Sequence, residues 1–197
     1  PAGRPTKSIV APTDAEEMKR FMPKTVDWPG PVYIRLGKGG DDVVSNPEDG
    51  FEIGKGYMLR PKGSVLLITT GVMASRALGA AEALEAEGIS CGVLNLPTVK
   101  PLDENQLLSL AVEADVVVTV EEHTKVGGLG SAVTDALVEN LGTRLPLIKR
   151  LGLPDVFPED YGSQDSLMDF FGLQAPGIAD TVRAALTQMN DQSRSTG

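Results

Sequence analysis

The strongest structural signal in the chain is the run Val65-Leu66-Leu67-Ile68-Thr69-Thr70, which leads through Gly71 into a segment rich in Ala, Leu and Glu that ends at Gly88. An uninterrupted apolar run of this length is typical of a strand buried on both faces of a parallel sheet. A glycine directly after a helical pattern is a common helix end. Residues 64–88 therefore predict a strand followed by a helix, the repeating unit of an α/β fold.

The same alternation continues along the rest of the chain. Three further strands are predicted, at residues 90–94, 115–121 and 145–150. Helices are predicted at residues 103–114, 127–141 with an opening glycine turn, 164–171 and 178–189. Two short strand candidates lie near residues 51–53 and 57–59. The pattern predicts a three-layer α/β/α domain with a mostly parallel sheet, from about residue 51 to residue 189.

The beginning of the chain contains one strand–helix–strand unit. Predicted strands at residues 8–10 and 32–36 flank a helix that runs to about residue 25. Thr13 and Glu16 have the spacing of a capping box, with Thr13 as the N-cap. One such unit is too small to be a domain.

A polar, turn-rich linker over residues 37–50 predicts a domain boundary. We therefore expect residues 1–45 to be an incomplete domain and residues 46–197 to be a second one. The strands of the incomplete domain should have open edges, which fray or pair with another copy or subunit.

Charge and composition exclude several classes of function. The 197 residues carry a formal net charge of −9, which argues against binding to a nucleic-acid backbone. The uncharged stretches are shorter than the roughly 18 apolar residues of a membrane span, so no membrane partner is expected. Cys91 and His123 are the single cysteine and histidine, which excludes an internal disulfide and a metal site of several such residues. The apolar neighbours of Cys91 predict a core thiol, which suits a reducing, cytoplasmic setting.

Ligands of open α/β sheets bind beyond the carboxyl ends of the strands. This rule selects four segments, at residues 71–72, 96–101, 121–130 and 151–157. The third is the richest, because two carboxylates and His123 precede a glycine turn. Free amides at a helix start can hold an anion, which makes Gly127, Gly128 and Gly130 loop or anion-site candidates. The alternative is that these glycines permit close packing of helix on sheet; Val133 stands where a dinucleotide fingerprint has its third glycine.

Three side chains are candidates for contact with a substrate. Arg35 and Lys38 flank the end of the predicted strand at residues 32–36, where a cation beside glycines suits a phosphate or carboxylate. The alternative is that both are solvated surface charges. His123 suits either acid–base chemistry or a hydrogen bond in a loop or interface.

Four blocks of the sequence resemble transketolase-type thiamine diphosphate enzymes. Residues 30–39, GPVYIRLGKG, resemble the end of the pyrimidine-binding domain, and residues 10–17, VAPTDAEE, resemble the strand–helix step before it. Residues 94–103, LNLPTVKPLD, and residues 121–133 resemble the C-terminal domain of the family. The blocks occur in the family's order and cover nearly the whole chain. The chain thus resembles a C-terminal section, closest to transketolase C-terminal subunits, with deoxyxylulose-phosphate synthase and the beta subunits of 2-oxo acid dehydrogenases as more distant relatives.

This resemblance implies an enzyme that transfers a two-carbon ketol unit between sugar phosphates, using thiamine diphosphate and Mg²⁺. The family's Mg²⁺ motif, Gly-Asp-Gly followed by Asn, is not in the sequence, and the glutamate that activates the cofactor falls before Pro1. We therefore expect no catalytic residue, cofactor site or metal site in this chain, and no activity from it alone. The family's substrate-phosphate arginine falls on Lys38, which keeps the charge but not the bidentate fork.

The resemblance also implies partners. A complementary N-terminal subunit would supply the cofactor domain, and a homodimer is the other expected assembly. Two alternatives to a transketolase remain open at this point. The first alternative is a fragment of a deoxyxylulose-phosphate synthase-type enzyme. The second is an assembly module like the beta subunit of a 2-oxo acid dehydrogenase, for which the acidic surface of this chain would suit a basic partner. The lack of a dinucleotide fingerprint argues against a free nucleotide-binding domain.

Overall fold

The computed structural model describes residues 7–156 and 161–195, with side chains described as far as residue 192. It contains eight strands within these ranges: Ser8–Val10 (β1), Val32–Ile34 (β2), Tyr57–Arg60 (β3), Val65–Thr69 (β4), Cys91–Asn95 (β5), Thr98–Lys100 (β6), Val116–Thr124 (β7) and Leu147–Leu153 (β8). The α-helices of the same ranges are Ala15–Phe21 (α1), Met73–Ala86 (α2), Glu104–Ala111 (α3), Leu129–Leu141 (α4), Gln164–Phe170 (α5) and Ala175–Ser195 (α6). Short 3₁₀ turns occupy Met22–Thr25, Pro47–Asp49 and Gly142–Arg144.

The larger sheet has five strands in the order β3-β5-β4-β7-β8. The four strands predicted from apolar runs are all in it and are mutually parallel, while β3 pairs antiparallel with β5. The prediction of a strand near residues 51–53 is wrong. Phe51 and Ile53 lie outside the strands and bury their side chains in a small core with Phe21. The predicted α/β fold with a mostly parallel sheet is confirmed.

Helices cover both faces of this sheet. Alternate residues of the strands, such as Leu67 and Val118, face α2 and α6. Their neighbours, such as Leu66 and Val117, face α3 and α4. The period of two along each strand therefore divides the apolar residues into two cores and makes the domain three layers thick. Cys91 is buried in the first core, as predicted, and burial raises the pKa of its thiol to about 12.

The N-terminal segment forms a second, three-stranded sheet in the order β2-β1-β6. β1 runs parallel to β2 and antiparallel to β6, which comes from residues 96–101, one of the four segments selected as lying beyond strand ends. The expectation of open edges is thus wrong for β1, because β6 occupies its second edge. Among the described strands, β2 pairs on one side only. The small sheet is tied to the larger domain through β6.

The start of α1 differs from prediction by one residue. Asp14, not Thr13, is the N-cap, and its carboxylate accepts a hydrogen bond from the amide of Glu17. Glu17, not Glu16, reaches back to the amide of Thr13, at 2.6 Å. Tertiary contacts select this register, since Asp14 also accepts from the amides of Val44 and Ser45 in the linker.

In the described part of the chain, no helix combines the length and the apolar character that crossing a lipid bilayer requires.

Candidate functional site

A cleft of about 250 Å³ lies between the two sheets, at the carboxyl ends of β1, β2, β4 and β7. It is lined by Lys7, Ile9, Ala11, Pro12, Tyr33, Arg35, Gly37, Thr70, Gly71, Val72, Val99, Glu121, Glu122, His123, Gly127, Gly128 and Leu129. Three of the four segments selected from the sequence contribute to it. Residues 151–156 of the fourth segment do not line it, and residue 157 lies outside the described residues.

Arg35 joins the two halves of the cleft. Its backbone amide donates to the carbonyl of Val10, and its Nη2 donates to the carbonyl oxygen of Glu122 at the end of β7. The guanidinium has five N–H donors, and in this side chain, which lines the cleft, one of them is used by the Glu122 carbonyl. The carboxylate of Glu122 is turned to a different partner, Gln164, whose side-chain amide donates to it at 2.8 Å.

His123 is exposed at the rim of the same wall. β7 extends through Thr124, beyond the predicted end at residue 121, so His123 belongs to a strand and not to a loop. Its Nδ1 lies 3.0 Å from the carbonyl oxygen of Thr124. Because a carbonyl only accepts, this contact assigns the proton of the neutral ring to Nδ1 and makes Nε2 the acceptor.

Glu121 forms the buried base of this wall. Its side chain is 2% exposed, and its two oxygens accept hydrogen bonds from the amides of Leu129, at 2.7 Å, and Gly130, at 2.8 Å. Burial raises the pKa of this carboxyl, and the two amide hydrogen bonds act in the opposite direction. Two amides at the N-terminus of α4 are thus already bonded to a carboxylate of the chain itself, at the kind of position where an external anion could bind.

Two of the three candidate glycines, Gly128 and Gly130, lie against this carboxylate, and Gly127 precedes them in the chain. Gly127 and Gly128 line the cleft, whereas Gly130 is buried and its amide is bonded to Glu121. A methyl group placed on Gly130 would come within 2.8 Å of the Thr119 hydroxyl. These contacts favour the packing explanation, and an external anion at Gly130 would have to compete with Glu121.

Lys38 is separate from the other two substrate candidates. It is exposed in the turn after β2 and does not line the cleft that Arg35 and His123 share. Lys7 and Thr70 are among the lining residues that sequence reasoning missed. Lys7 lies 5.0 Å from the centre of the Tyr33 ring, and no sequence signal pointed to it. Thr70 follows β4 at the carboxyl end, where the position rule could have identified it, and its buried hydroxyl has no partner among the described residues.

The described residues contain no group of three or more His, Cys, Asp or Glu side chains that could hold a metal ion.

Comparisons with known proteins agree on one family. The family model described as "Transketolase, C-terminal domain" matches residues 54–178. A transketolase family protein of Sinorhizobium fredii, y4mN, is 39% identical over 189 residues, which cover 94% of this chain and 54% of that protein. The 6-deoxy-6-sulfo-D-fructose transketolase subunit SqwH of a Clostridium species is 40% identical, covering 92% of this chain and 54% of the subunit. A 1-deoxy-D-xylulose-5-phosphate synthase of a Synechococcus species is 39% identical, covering 97% of this chain and 30% of the synthase.

A solved structure is similar as well. The structure titled "Split gene transketolase, inactive beta4 tetramer" superimposes with a TM-score of 0.85 at 38% sequence identity. The match covers 93% of this chain and 59% of that one. The chain therefore spans about half the length of the transketolase relatives it matches, and under a third of the synthase.

Proposed function

The chain belongs to the transketolase family, as a C-terminal section, and we propose that it forms part of an enzyme that transfers a two-carbon ketol unit between sugar phosphates. The observation that carries the proposal is the cleft between the two sheets. It brings Arg35 and His123 together at the carboxyl ends of the strands, where α/β folds bind ligands.

The domain division that goes with this proposal has a small and a large part. Residues 1–45 would be the end of a pyrimidine-binding domain, and residues 46–197 would be the C-terminal domain of the family. The family model begins at residue 54, close to the proposed boundary. Two strands of the small sheet, β1 and β2, come from residues 1–45, while its third strand, β6, comes from the larger part and joins the two.

Thiamine diphosphate and Mg²⁺ would come from a complementary section. Mg²⁺ bound with a diphosphate takes hard oxygen ligands in octahedral geometry. In the cleft, the carboxylate of Glu121 is bonded to two amides and that of Glu122 to Gln164, so neither is arranged for such a group. The described residues of the cleft do not fit the cofactor. A complementary N-terminal subunit, alone or with a second copy of this chain, is the proposed partner.

The substrate side of the cleft is where this chain would contribute. The fork of Arg35 can donate to the phosphate or a hydroxyl of a sugar phosphate. Nε2 of His123 can accept from a sugar hydroxyl, because Nδ1 carries the proton. Lys38 is exposed and directly follows Gly37, which lines the cleft. It would contact the phosphate only if the bound substrate extends beyond Gly37.

A second candidate is a fragment of a synthase that makes 1-deoxy-D-xylulose 5-phosphate. Similarity to such synthases over 97% of the chain favours it. The two candidates share the fold and the cleft but differ in the product that the assembled enzyme releases.

Reconstitution tests the proposal. The purified chain is mixed with the N-terminal transketolase section of its own source, thiamine diphosphate and Mg²⁺, and ketol transfer between sugar phosphates is measured. We expect activity in the mixture and none in either section alone. Formation of 1-deoxy-D-xylulose 5-phosphate without ketol transfer would favour the synthase candidate, and activity of the isolated chain would refute its role as an incomplete section.

A further inference from the structure

The segment of residues 122–128 forms one wall of the cleft, and its two ends are joined by a single side chain. Glu121 precedes the segment, while Leu129 and Gly130 follow it, and the Glu121 carboxylate binds the amides of both. The segment is therefore closed at its base by two charge-assisted hydrogen bonds, which are among the stronger kinds in proteins.

We propose that Glu121 is the positioning residue of the cleft, holding the segment of residues 122–128 so that His123 and the Glu122 carbonyl face Arg35.

The packing around Glu121 leaves this carboxylate little freedom. A methyl group on Gly128 would overlap its Oε2, and one on Gly130 would lie 3.1 Å from its Oε1. On the other side, a methyl group on Gly152 of β8 would lie 3.1 Å from Cγ of Glu121 and 2.9 Å from the carbonyl oxygen of His123. Glycines at these three positions allow backbone from the start of α4 and from β8 to approach the Glu121 side chain closely, which leaves it little room to move.

His123 lies between the Glu121 contacts and a second set of contacts, which joins the segment to β8. The amide of Lys125 donates to the carbonyl of Leu153, and Thr124 pairs with Leu153 in the β7–β8 ladder. The middle of the segment, at Thr124 and Lys125, is thus attached to β8. The base of the segment is attached to the start of α4 through Glu121. Loss of the Glu121 hydrogen bonds at the base would let the Glu122 carbonyl move away from the Arg35 guanidinium.

The test uses the fact that His123 is the single histidine of the chain, so its ring gives one set of imidazole signals in an NMR spectrum. Glu121→Gln keeps the shape of the side chain but replaces one accepting oxygen with an NH₂ group, which cannot accept from an amide. We expect the imidazole signals to shift or broaden in this variant of the full chain. Amide exchange should accelerate about tenfold to a hundredfold at whichever of Leu129 and Gly130 then faces the NH₂ group, as for loss of a hydrogen bond to a charged group.

Asp103→Asn is the matched control. Asp103 is also a buried carboxylate at a helix N-terminus, where it accepts from the amide of Gln106, but α3 does not line the cleft. The control should leave the His123 signals in place. If Glu121→Gln does not fold, Gly128→Ala provides the second test, because its methyl group must displace the same carboxylate. Unchanged imidazole signals in a folded Glu121→Gln or Gly128→Ala variant would overturn the proposal, as would an equal change in Asp103→Asn.

An activity measurement, which alone rests on the proposed function, adds a further readout. In the reconstituted enzyme, Glu121→Gln should raise KM for the sugar phosphate with a smaller change in kcat, because it misplaces groups that bind the substrate. A fall in kcat with KM unchanged would count against the positioning role. If the wild-type mixture is inactive, the proposed function fails, while the NMR comparison still decides the role of Glu121.

Discussion

The carboxylate of Glu121 occupies the space into which any side chain at Gly128 would project. All three atoms nearest to a methyl group at that position belong to the Glu121 carboxylate group. The glycine and the glutamate, which are seven residues apart, are therefore a matched pair, and the absence of a side chain at one position permits the hydrogen bonds made by the other.

This pairing predicts non-additive mutations. Gly128→Ala should lower the free energy of unfolding by about 1–3 kcal/mol, the usual cost of overpacking a buried site. The same substitution should cost less in a Glu121→Ala background, because the group it meets is gone. A double-mutant cycle, measured by denaturant unfolding, should give a coupling free energy of at least about 1 kcal/mol.

Gly127→Ala is the control for this cycle. Gly127 has a φ of 72°, and a methyl group there would meet nothing within 4 Å. Gly127→Ala should lower the free energy of unfolding by about 1–2 kcal/mol through backbone strain alone. The loss should be the same with and without Glu121. Equal costs of Gly128→Ala in both backgrounds would contradict the pairing.

The parts of the fold that could be predicted are those that depend on local pattern. The four parallel strands follow from uninterrupted apolar runs, since a strand buried on both faces needs apolar residues at every position. β6 could not be predicted in this way, because Thr98–Lys100 is short and polar and forms a strand only where β1 pairs with it. The N-cap of α1 was displaced to Asp14 for a similar reason, namely the distant amides of Val44 and Ser45.

The candidate site shows the same division. Of the residues that the strand-end rule selected, His123, Gly127 and Gly128 line the cleft, and Arg35, which was chosen for its charge beside glycines, lines it as well. The rule gives no side-chain direction, so it could not separate Lys38, which lies outside. It also could not show that the amides at the start of α4 are already bonded to Glu121, because that depends on how the helix packs on the strand.

The buried Glu17 predicts an unusual dependence of stability on pH. Glu17 is fully buried, and burial raises the pKa of its carboxyl, although hydrogen bonds from Tyr57 and Thr13 oppose the shift. A carboxyl whose pKa is higher in the folded than in the unfolded state favours folding when protonated. Its contribution is fully present below the ordinary value of 4.5 and is lost as the pH rises through the raised value.

Two substitutions should change this dependence in opposite directions. Glu17→Gln removes the titrating group, so the decline in the free energy of unfolding above pH 5 should become smaller. Glu121, whose pKa is also raised by burial, should keep contributing to the decline in this variant. Tyr57→Phe removes a hydrogen bond that favours the charged form and should make the decline steeper. The measurement is denaturant unfolding between pH 5 and 8, above the range in which Asp14, whose pKa is lowered on balance, would titrate. Identical slopes in all three proteins would rule out Glu17 as the source.

The substrate-binding candidates can be separated in the reconstituted enzyme. Arg35→Ala and Lys38→Ala should each raise KM for a phosphorylated sugar if the side chain contacts the phosphate, by about tenfold to a hundredfold for a lost contact of about 1.5–3 kcal/mol. The KM of the unphosphorylated analogue should change much less. Lys24→Ala, at an exposed position in the turn after α1, serves as the charge control. Because Lys38 does not line the cleft, an effect of Arg35→Ala without one of Lys38→Ala would confine the phosphate to the cleft.

The isolated chain should not bind thiamine diphosphate tightly. A diphosphate with Mg²⁺ needs hard oxygen ligands, and a chain of net charge −9 repels the anion wherever its amides are not focused on it. The amides at the start of α4 are the nearest candidates to receive it, yet those of Leu129 and Gly130 are bonded to Glu121. Calorimetry with thiamine diphosphate and Mg²⁺ should therefore show no micromolar one-to-one binding to the chain alone and should show binding after the complementary section is added.

Glu121→Ala, which frees the two amides, provides the comparison. If that variant alone binds inorganic phosphate, the carboxylate is what keeps external anions out; if the wild-type chain binds the cofactor tightly, the assignment of the cofactor site to a partner is wrong.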